Sequence, residues 1–289
     1  MSATGQTASA PASLEQLREK ARLLRIHSLR MTTAAGSGHP TSCLSAAEMM
    51  AATFFHAMKF DPANPNALAG DRFVLSKGHA APILYAALAE SGVFPVSRLM
   101  TLRQFSSELE GHPTPRIPGV DAATGSLGQG LSVGAGLALG ARLQKSAARV
   151  YVLMGDGESE EGQIWEAAMA APKYKLDNLC VILDHNKGQI DGYVKDVMNI
   201  EPIADKWRAF NWNVLTIDGH DYQQIAGAFQ QARATKDKPT FIIAETVKGK
   251  GVSFMENQIG WHGVAPTKEQ LSKAVAELQA AQAAVKGAA

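Results

Sequence analysis

The residues best suited to chemistry in this sequence lie in two short motifs, Gly-Asp-Gly at 155–157 and Asp-His-Asn-Lys at 184–187. Each motif follows an apolar run typical of a buried β-strand, and a helical stretch separates the two runs. In an open parallel sheet, ligands bind at the carboxyl ends of the strands. We therefore expect Asp156 and Asn186 to meet in one crevice, although they are thirty positions apart in the chain.

The side chains of these motifs predict a site for a divalent cation and a diphosphate. One carboxylate, one amide and a backbone carbonyl from the loop after Asn186 form an all-oxygen donor set, which suits Mg²⁺ or Ca²⁺ and leaves room for phosphate oxygens. Glycines at 155 and 157 allow close approach of the backbone, and the following helix can present free N–H groups. A lone Gly-Asp-Gly is also typical of a plain tight turn, and the strand-terminal Asn186 favours the ion site.

The elements that must position these motifs are readable from hydrophobic spacing and capping residues. Ser13 with Gln16 forms a capping box that begins a long amphipathic helix, which ends at the break at 36–38. Thr267 with Gln270 begins a last helix that runs to about residue 285. Further helices are predicted at 42–58, 82–91, 131–144, 162–175 and 222–235, strands at 72–76, 149–154, 179–183, 213–217 and 240–246, and surface loops at 61–70 and 188–202.

These strands read as continuous apolar runs, which is typical of parallel strands buried on both faces. The fold class that follows is α/β, with a mostly parallel sheet and helices on both faces. The chain shows no repeat and no interdomain linker, so we expect a disordered tail at 1–12 and a single domain at 13–286.

Composition excludes several functional classes. A formal net charge of +1 without a long Lys/Arg cluster argues against nucleic acid or an anionic membrane as a partner. The first residues lack the basic and apolar parts of a signal peptide. Cys43 and Cys180 lie in apolar stretches without paired spacing, which argues against disulfides or a zinc site and favours a cytoplasmic location.

Several further segments resemble transketolase in content and in order. They are Ser-Gly-His-Pro at 37–40, Asp-Arg-Phe-Val-Leu-Ser-Lys-Gly-His-Ala at 71–80, Gly-His-Pro at 111–113, Thr-Gly-Ser-Leu-Gly-Gln-Gly at 124–130 and Trp-His-Gly at 261–263. With the motif at 155–186, the resemblance runs from about residue 14 to 270 and covers the first third to half of a full transketolase. It implies the diphosphate-binding domain of the thiamine diphosphate-binding fold.

The resemblance also implies roles for individual residues. His39 and His112 would contact the substrate carbonyl and first hydroxyls, and His262 with His79 would lie between diphosphate and substrate; His39, His112 and His262 are the expected catalytic residues. The expected cofactor-binding residues are His39, Ser42, Lys77, His79, Gly125, Ser126, Leu127, Gly157, Asn186, Lys248 and His262, and the expected metal ligands are Asp156, Asn186 and Gly188. A surface location remains an alternative for both lysines.

The remaining histidines receive structural interpretations. We expect His220 to lie in a solvated turn, and His27 and His56 to be packing or surface residues of helices. His185 should point away from Asn186 along an extended segment.

The implied activity is transfer of a two-carbon ketol (glycolaldehyde) unit from a ketose phosphate to an aldose phosphate, with the cofactor as electron sink. In transketolases, a glutamate on a following domain activates the cofactor ring. We expect it on a second polypeptide with the pyrimidine-binding and C-terminal domains, in an α₂β₂ assembly. Alternatives are half of a 2-oxo acid dehydrogenase E1 component or of a 1-deoxyxylulose-phosphate synthase, and a non-catalytic cofactor-binding protein.

Two features of the resemblance remain open. Glu161 and Glu166 fall where similar enzymes have acidic residues at the subunit interface between paired cofactors. The alternative is an ordinary acidic helix N-terminus, which the helix dipole stabilises. Gly188 stands where an aliphatic residue is common, which predicts a looser loop, and Val264 stands where some relatives carry a lysine.

Overall fold

A five-stranded parallel sheet forms the centre of the molecule, in the computed structural model that describes residues 11–287. Its strands are β1 (Arg72–Leu75), β2 (Val150–Gly155), β3 (Leu179–His185), β6 (Asn213–Asp218) and β7 (Thr240–Glu245), in the order β1-β2-β3-β7-β6. A separate antiparallel pair joins β4 (Gly188–Gln189) to β5 (Gly192–Tyr193). The predicted α/β class with a parallel sheet is confirmed.

Ten α-helices occur among the described residues. They are α1 (Leu14–Ala35), α2 (Pro40–Ser45), α3 (Ala47–Ala52), α4 (Ala81–Glu90), α5 (Gln129–Leu143), α6 (Gly162–Lys173), α7 (Val194–Val197), α8 (Ile203–Ala209), α9 (Tyr222–Ala234) and α10 (Lys268–Gly287). None of the helices in this part of the chain is long and apolar enough to cross a membrane.

Both faces of the sheet are buried along β1, β2, β3 and β7, as continuous apolar strands require, whereas the edge strand β6 is partly exposed. Successive residues of β2 alternate between two apolar clusters, with Tyr151 and Leu153 in one and Val150 and Val152 in the other. The first cluster is covered by α1, α3, α4 and α9, and the second by α5, α6 and α8. The three-layer arrangement leaves only the ends of the strands open to ligands.

The two predicted capping boxes are confirmed. Ser13 Oγ accepts from the Gln16 N–H, and Gln16 Oε1 accepts from the Ser13 N–H at 2.8 Å. Thr267 and Gln270 exchange the equivalent bonds at the start of α10. At the other end of α1, Gly36 has a left-handed backbone (φ 63°) and ends the helix.

The predicted helix at 42–58 is wrong in its bounds and in its continuity. Helix formation begins at Pro40, which is suited to the first helical turn because it needs no N–H donor there. The helix then breaks between α2 and α3 and closes in a π-helical turn at Thr53–Ala57. The break lies beside Ser45, whose hydroxyl donates to the Asp184 carboxylate of β3 at 2.6 Å.

Two predicted irregular regions also differ in detail. The segment at 188–202 was expected as a loop but contains the β4–β5 hairpin and α7. Of the tail predicted at 1–12, residues 1–10 lie outside the described residues, while the Ala12 N–H donates to the Phe55 carbonyl at 3.0 Å.

Candidate active site

A crevice of about 360 Å³ lies beyond the carboxyl ends of β2 and β3. The register pairs Gly155 with Asp184, so the residues that follow each strand emerge side by side. The predicted site residues that line the crevice are His39, Ser42, Lys77, His79, His112, Gly125, Leu127, Asp156, Gly157, Asn186, Gly188, Lys248 and His262. Ser126 is exposed and does not line it, so the structure separates this residue from the others.

Asp156 and Asn186 meet in this crevice with oxygens available for a cation. Asp156 accepts from the Gly157 N–H at 2.8 Å and from the Lys187 N–H, and Asn186 Oδ1 accepts from the Gly188 N–H at 3.1 Å. Burial, aided by the charge of Asp184, raises the pKa of Asp156 to about 6. A bound cation would reverse this effect, because it stabilises the carboxylate.

The donor set is unlike a zinc or iron site. Over residues 11–287 no group of three or more His, Cys, Asp or Glu side chains is placed to hold a metal. A single carboxylate with an amide and a backbone oxygen instead suits a hard cation that takes further ligands from a phosphate. The residues present therefore fit a divalent ion bound together with a diphosphate.

Beneath these ligands lies a buried polar network that the motifs did not predict. Asp184 is fully buried and accepts hydrogen bonds from Ser45, Thr246, Lys77 and Asn186. Burial alone would raise its pKa, but the Lys77 ammonium and these hydrogen bonds hold the pKa below its usual value. The sequence signal was an aspartate that ends a fully apolar strand, where an unpaired charge would be costly.

The two predicted lysines are both buried, with 1% of each side chain exposed, so the surface alternative is wrong. Lys77 donates to the Ser42 carbonyl at 2.9 Å and forms an ion pair with Asp184. Lys248 Nζ lies 3.5 Å from the Gly188 carbonyl. Burial and the charge of Lys77 lower the pKa of Lys248 to about 8. Lys77 is already neutralised by Asp184, so Lys248 is the lysine whose charge an anion in the crevice could neutralise.

Glu158 is a second buried carboxylate that sequence reasoning missed. It accepts from the Gly128 N–H at 2.9 Å, from the Gly155 N–H at 3.1 Å and from the Ser76 hydroxyl. Burial raises its pKa. These bonds tie the ends of β1 and β2 to the loop before α5, which holds the crevice walls at a fixed separation.

Three histidine rings form the opposite wall of the crevice. The centroid of His39 lies 5.0 Å from that of His79 and 5.5 Å from that of His262. Burial, with the nearby charges of Arg103 and Lys248 respectively, lowers the pKa of His39 to about 4 and that of His262 to about 3. Burial and Lys77 also keep the pKa of His79 well below its usual value. All three imidazoles are therefore neutral near pH 7.

Two ring nitrogens in this wall, Nδ1 of His39 and Nδ1 of His262, are buried without a hydrogen-bond partner among the described residues. Buried polar atoms are usually satisfied, and an exception that lines a crevice is explained by a water, an ion or a ligand that binds there. A polar guest in the crevice would supply the missing partners.

His112 completes the wall from a separate loop. It packs on Gly125, where a Cβ would lie 2.6 Å from the His112 ring and where the backbone has φ 142°. Glycine is therefore required at 125, because a side chain would be both strained and excluded. Burial and the charge of Arg103 lower the pKa of His112.

The interpretation of His220 as a solvated turn residue is wrong. Its Nε2 accepts from the Val247 N–H at 2.9 Å, and its Nδ1 lies 3.1 Å from Glu48 Oε2. The ring therefore bridges α3 to the loop that carries Lys248. His185 does point away from the crevice, with Nδ1 2.9 Å from Glu245 Oε1.

The acidic pair at α6 is split between two environments. Glu161 is exposed and lines the crevice at the start of α6, without a capping hydrogen bond. Glu166 is also exposed but lines a separate groove between α5 and α6. The coupling predicted for this pair stays a prediction.

Gly188 is tightly packed, although a glycine at this position predicted a loose loop. A Cβ at this position would lie 2.7 Å from Ile259 Cδ1 and 2.8 Å from Lys248 Cδ. The space of an aliphatic side chain is thus filled by neighbours, and Gly188 is paired in the β4–β5 hairpin. Val264, the other departure, is exposed.

A larger cavity, about 1170 Å³, lies at a distance from these residues, between α1, the π-helical turn and α9. Its walls are mainly Phe54, Phe55, Phe60, Phe229 and the hydrocarbon parts of longer side chains. It contains none of the predicted site residues, and its volume alone gives no reason to place chemistry there.

Comparison with known proteins agrees with the geometry of the crevice. The family described as transketolase, thiamine diphosphate binding domain, matches residues 16–281. A transketolase from Pongo abelii is 49% identical over 271 residues, which are 92% of this chain and 42% of that protein. The chain thus spans less than half the length of the curated transketolases it matches.

A relative of similar length to this chain is also known. The 6-deoxy-6-sulfo-D-fructose transketolase subunit SqwG of a Clostridium species is 46% identical over 264 residues, which are 91% of this chain and 96% of that subunit. Among solved structures, a transketolase from Campylobacter jejuni superposes with a TM-score of 0.88 at 35% identity and covers 93% of this chain and 43% of its own.

Proposed function

The chain belongs to the transketolase family, whose thiamine diphosphate-binding domain it matches over most of its length, and we propose that it is the diphosphate-binding half of a two-chain transketolase. The observation that carries the proposal is the convergence of Asp156, Asn186 and the neutral histidine wall on one crevice. A cofactor with an anionic tail and a reactive ring would contact both sides at once.

The diphosphate tail would be held at the floor of the crevice. Asp156, Asn186 and the Gly188 carbonyl would ligate Mg²⁺ or Ca²⁺, and the Gly157 N–H and the buried lysines would face the phosphates. Leu127 and Gly125 would line the aminopyrimidine side of the cofactor. Ser126 is exposed, and a backbone contact is the only role we retain for it.

When bound, thiamine diphosphate supplies the electron sink that stabilises the two-carbon unit during ketol transfer. The residues of this chain bind the sugar hydroxyls, exclude water and move protons. His39 and His262 are neutral with low pKa values, so each can accept a hydrogen bond or present an N–H to a substrate oxygen. His112 completes the histidine wall, where it would contact the first hydroxyls of the sugar.

A second polypeptide would complete the site. The curated transketolases are more than twice as long as this chain, whereas the SqwG subunit matches it nearly end to end. The side chain of Ile190 lines the crevice and is 61% exposed, which favours coverage by a partner. The partner would carry the pyrimidine-binding and C-terminal domains in an α₂β₂ heterotetramer.

The substrates we propose are ketose and aldose phosphates of the pentose phosphate pathway, used in the cytoplasm. A second candidate is a sulfonated sugar, because the subunit that matches this chain over 96% of its own length is described as a 6-deoxy-6-sulfo-D-fructose transketolase subunit. Both candidates carry an anionic group at the far end of the sugar, a phosphate in one and a sulfonate in the other, which the proposed partner chain would bind.

Reconstitution tests the proposal. The chain alone should transfer no ketol groups, and addition of the complementary chain with thiamine diphosphate and Mg²⁺ should restore transfer from a ketose phosphate or a sulfo-ketose to an aldose acceptor. Ketol transfer by the purified chain alone would refute the two-chain proposal. Consumption of pyruvate without an aldose acceptor would favour the 2-oxo acid or 1-deoxyxylulose-phosphate class, and cofactor binding without activity in any complex would favour a non-catalytic protein.

A further inference from the structure

Four side chains of the candidate site converge on the carboxylate of Asp184. Its Oδ2 accepts from Ser45 Oγ at 2.6 Å, from Asn186 Nδ2 at 3.1 Å and from the Lys77 ammonium, and its Oδ1 accepts from the Thr246 hydroxyl. Asp184 is fully buried and does not line the crevice. It can therefore influence a ligand through the side chains that it holds and through its charge, which also acts on Asp156.

The contact with Asn186 decides which way its carboxamide faces. A carboxylate accepts hydrogen bonds only, so the NH₂ end of the amide must point toward Asp184. Asn186 Nδ2 also donates to Ser45 Oγ at 3.2 Å, which fixes the same end a second time. The Oδ1 end then lies on the opposite side, where it accepts from the Gly188 N–H at 3.1 Å.

A flipped amide would be costly and useless for binding a cation. It would bring Oδ1 against the Asp184 carboxylate, leaving two buried acceptors without a donor between them. It would also present nitrogen to the crevice, whereas Mg²⁺ and Ca²⁺ take oxygen ligands. The orientation of one amide thus separates a metal-binding crevice from one that cannot bind metal.

We propose that Asp184 is a positioning residue for the cofactor's divalent ion, acting by locking the Asn186 carboxamide with its oxygen toward the crevice. The inference rests on the proposed function, since the ion is the one that would bind with thiamine diphosphate. The simpler role for Asp184 is that of a counter-ion for Lys77, and both roles make loss of Asp184 damaging.

Two substitutions at position 184 separate these roles. Asp184→Asn removes the charge that neutralises Lys77 but keeps one oxygen, which can still accept from Asn186 Nδ2 while the new NH₂ group faces the Thr246 hydroxyl. Asp184→Leu removes both the charge and the acceptor. Thr246→Val is the matched control, because it removes a bond to Oδ1 and leaves the contact with Asn186 intact.

The first measurement is the Mg²⁺-dependent binding of thiamine diphosphate to the full chain, alone and with its partner, by calorimetry. We expect Asp184→Leu to weaken binding ~10- to 100-fold, the range for residues that orient metal ligands, and Asp184→Asn to weaken it much less. Thr246→Val should change binding by less than about 3-fold, because it removes one buried hydrogen bond. Equal losses in Asp184→Asn and Asp184→Leu, the result expected of a counter-ion alone, or a control as damaging as Asp184→Leu, would overturn the proposal.

The second measurement needs no cofactor. In the chain labelled with ¹⁵N at asparagine side chains, the Asn186 NH₂ protons should exchange slowly with solvent, and Asp184→Leu should remove this protection whereas Asp184→Asn should keep it. Rapid exchange in the native chain would overturn the proposal. If the native chain and its complex bind no thiamine diphosphate, the proposed function falls and the role at the ion falls with it, while the exchange result still reports the contact itself.

Discussion

The floor and the histidine wall of the crevice are built in opposite ways. On the floor, the polar atoms of Asp184, Lys77 and Asn186 have hydrogen-bond partners within the chain. In the wall, the Nδ1 atoms of His39 and His262 are buried and find no partner within the described part of the chain. The floor is therefore complete in this chain alone, whereas the wall is not.

The difference teaches which part of the ligand each region is prepared for. A rigid, satisfied network suits a cation and a diphosphate that stay bound through many turnovers, because the ligand finds its contacts already in place. Unsatisfied neutral imidazoles suit a substrate that binds and leaves, because its hydroxyls supply the missing bonds each time. The three predictions that follow test this contrast, from the largest expected effect to the smallest.

Removing the charge of Asp156, the carboxylate proposed as a metal ligand on the crevice floor, should have the largest effect. Asp156→Asn keeps the size of the side chain but removes the charge, and should weaken Mg²⁺-dependent binding of thiamine diphosphate by at least ~100-fold, since even indirect metal partners contribute about 10- to 100-fold. Calorimetry at fixed Mg²⁺ measures the loss. Glu160→Gln, which also lines the crevice, is the control and should bind nearly normally. Equal losses in the two variants would mean that Asp156 has no special role.

The floor was also the part of the site that could be predicted most directly from the sequence. Asp156 and Asn186 each follow an apolar strand, and the parallel register that pairs Gly155 with Asp184 brings them together, as expected. The roles of Asp184 and Glu158 could not be read in this way, because their partners Ser45 and Ser76 come from distant segments with no pattern of their own. Packing between layers, rather than periodicity, places them.

The histidine wall should make the stability of the chain depend on pH. Because the pKa values of His39 and His262 are lowered to about 4 and about 3, these rings take up protons on unfolding below pH ~6.5, the usual histidine value. At acid pH the unfolded chain therefore binds more protons than the folded chain. The free energy of unfolding should fall as pH decreases from ~6.5 toward ~4. Urea unfolding at pH ~7 and pH ~5 measures this fall.

The double variant His39→Gln/His262→Gln should show a smaller fall in stability between pH ~7 and pH ~5, because glutamine does not titrate. Between pH ~7 and pH ~8 the native chain and the variant should differ by a constant amount. Identical pH dependence in the two proteins, or NMR titration of either ring near its usual pKa, would show that the wall is not desolvated as described.

Substitution of His220 should have the smallest effect. It tests how the loop that carries Lys248 is held, independently of the floor and the wall. Glutamine can place an acceptor near Nε2 for the Val247 N–H, whereas asparagine can only place a donor near Nδ1 for Glu48. Each substitution should lower stability by about 1 kcal/mol, the usual net contribution of one hydrogen bond. Hydrogen exchange at the Val247 amide should become fast in His220→Asn and stay slow in His220→Gln. Equal exchange in both variants would contradict this assignment.

The wall and its surroundings were less predictable from the sequence than the floor. The histidines were found through the loops that resemble transketolase, and Gly125 and Gly188 show why those loops tolerate so little change. The error at His220 arose because a Gly-His turn looks solvated until α3 packs against it. The error at 42–58 arose because hydrophobic spacing continues through a helix break that a single buried serine accompanies.

The most direct test of the account is a crystal structure of the chain with thiamine diphosphate and Ca²⁺, with the ion located by its anomalous signal. We predict one ion bound by oxygens of Asp156, Asn186 and Gly188, with the diphosphate of the cofactor in the same crevice. An ion elsewhere, or a diphosphate bound away from the ends of β2 and β3, would contradict the account.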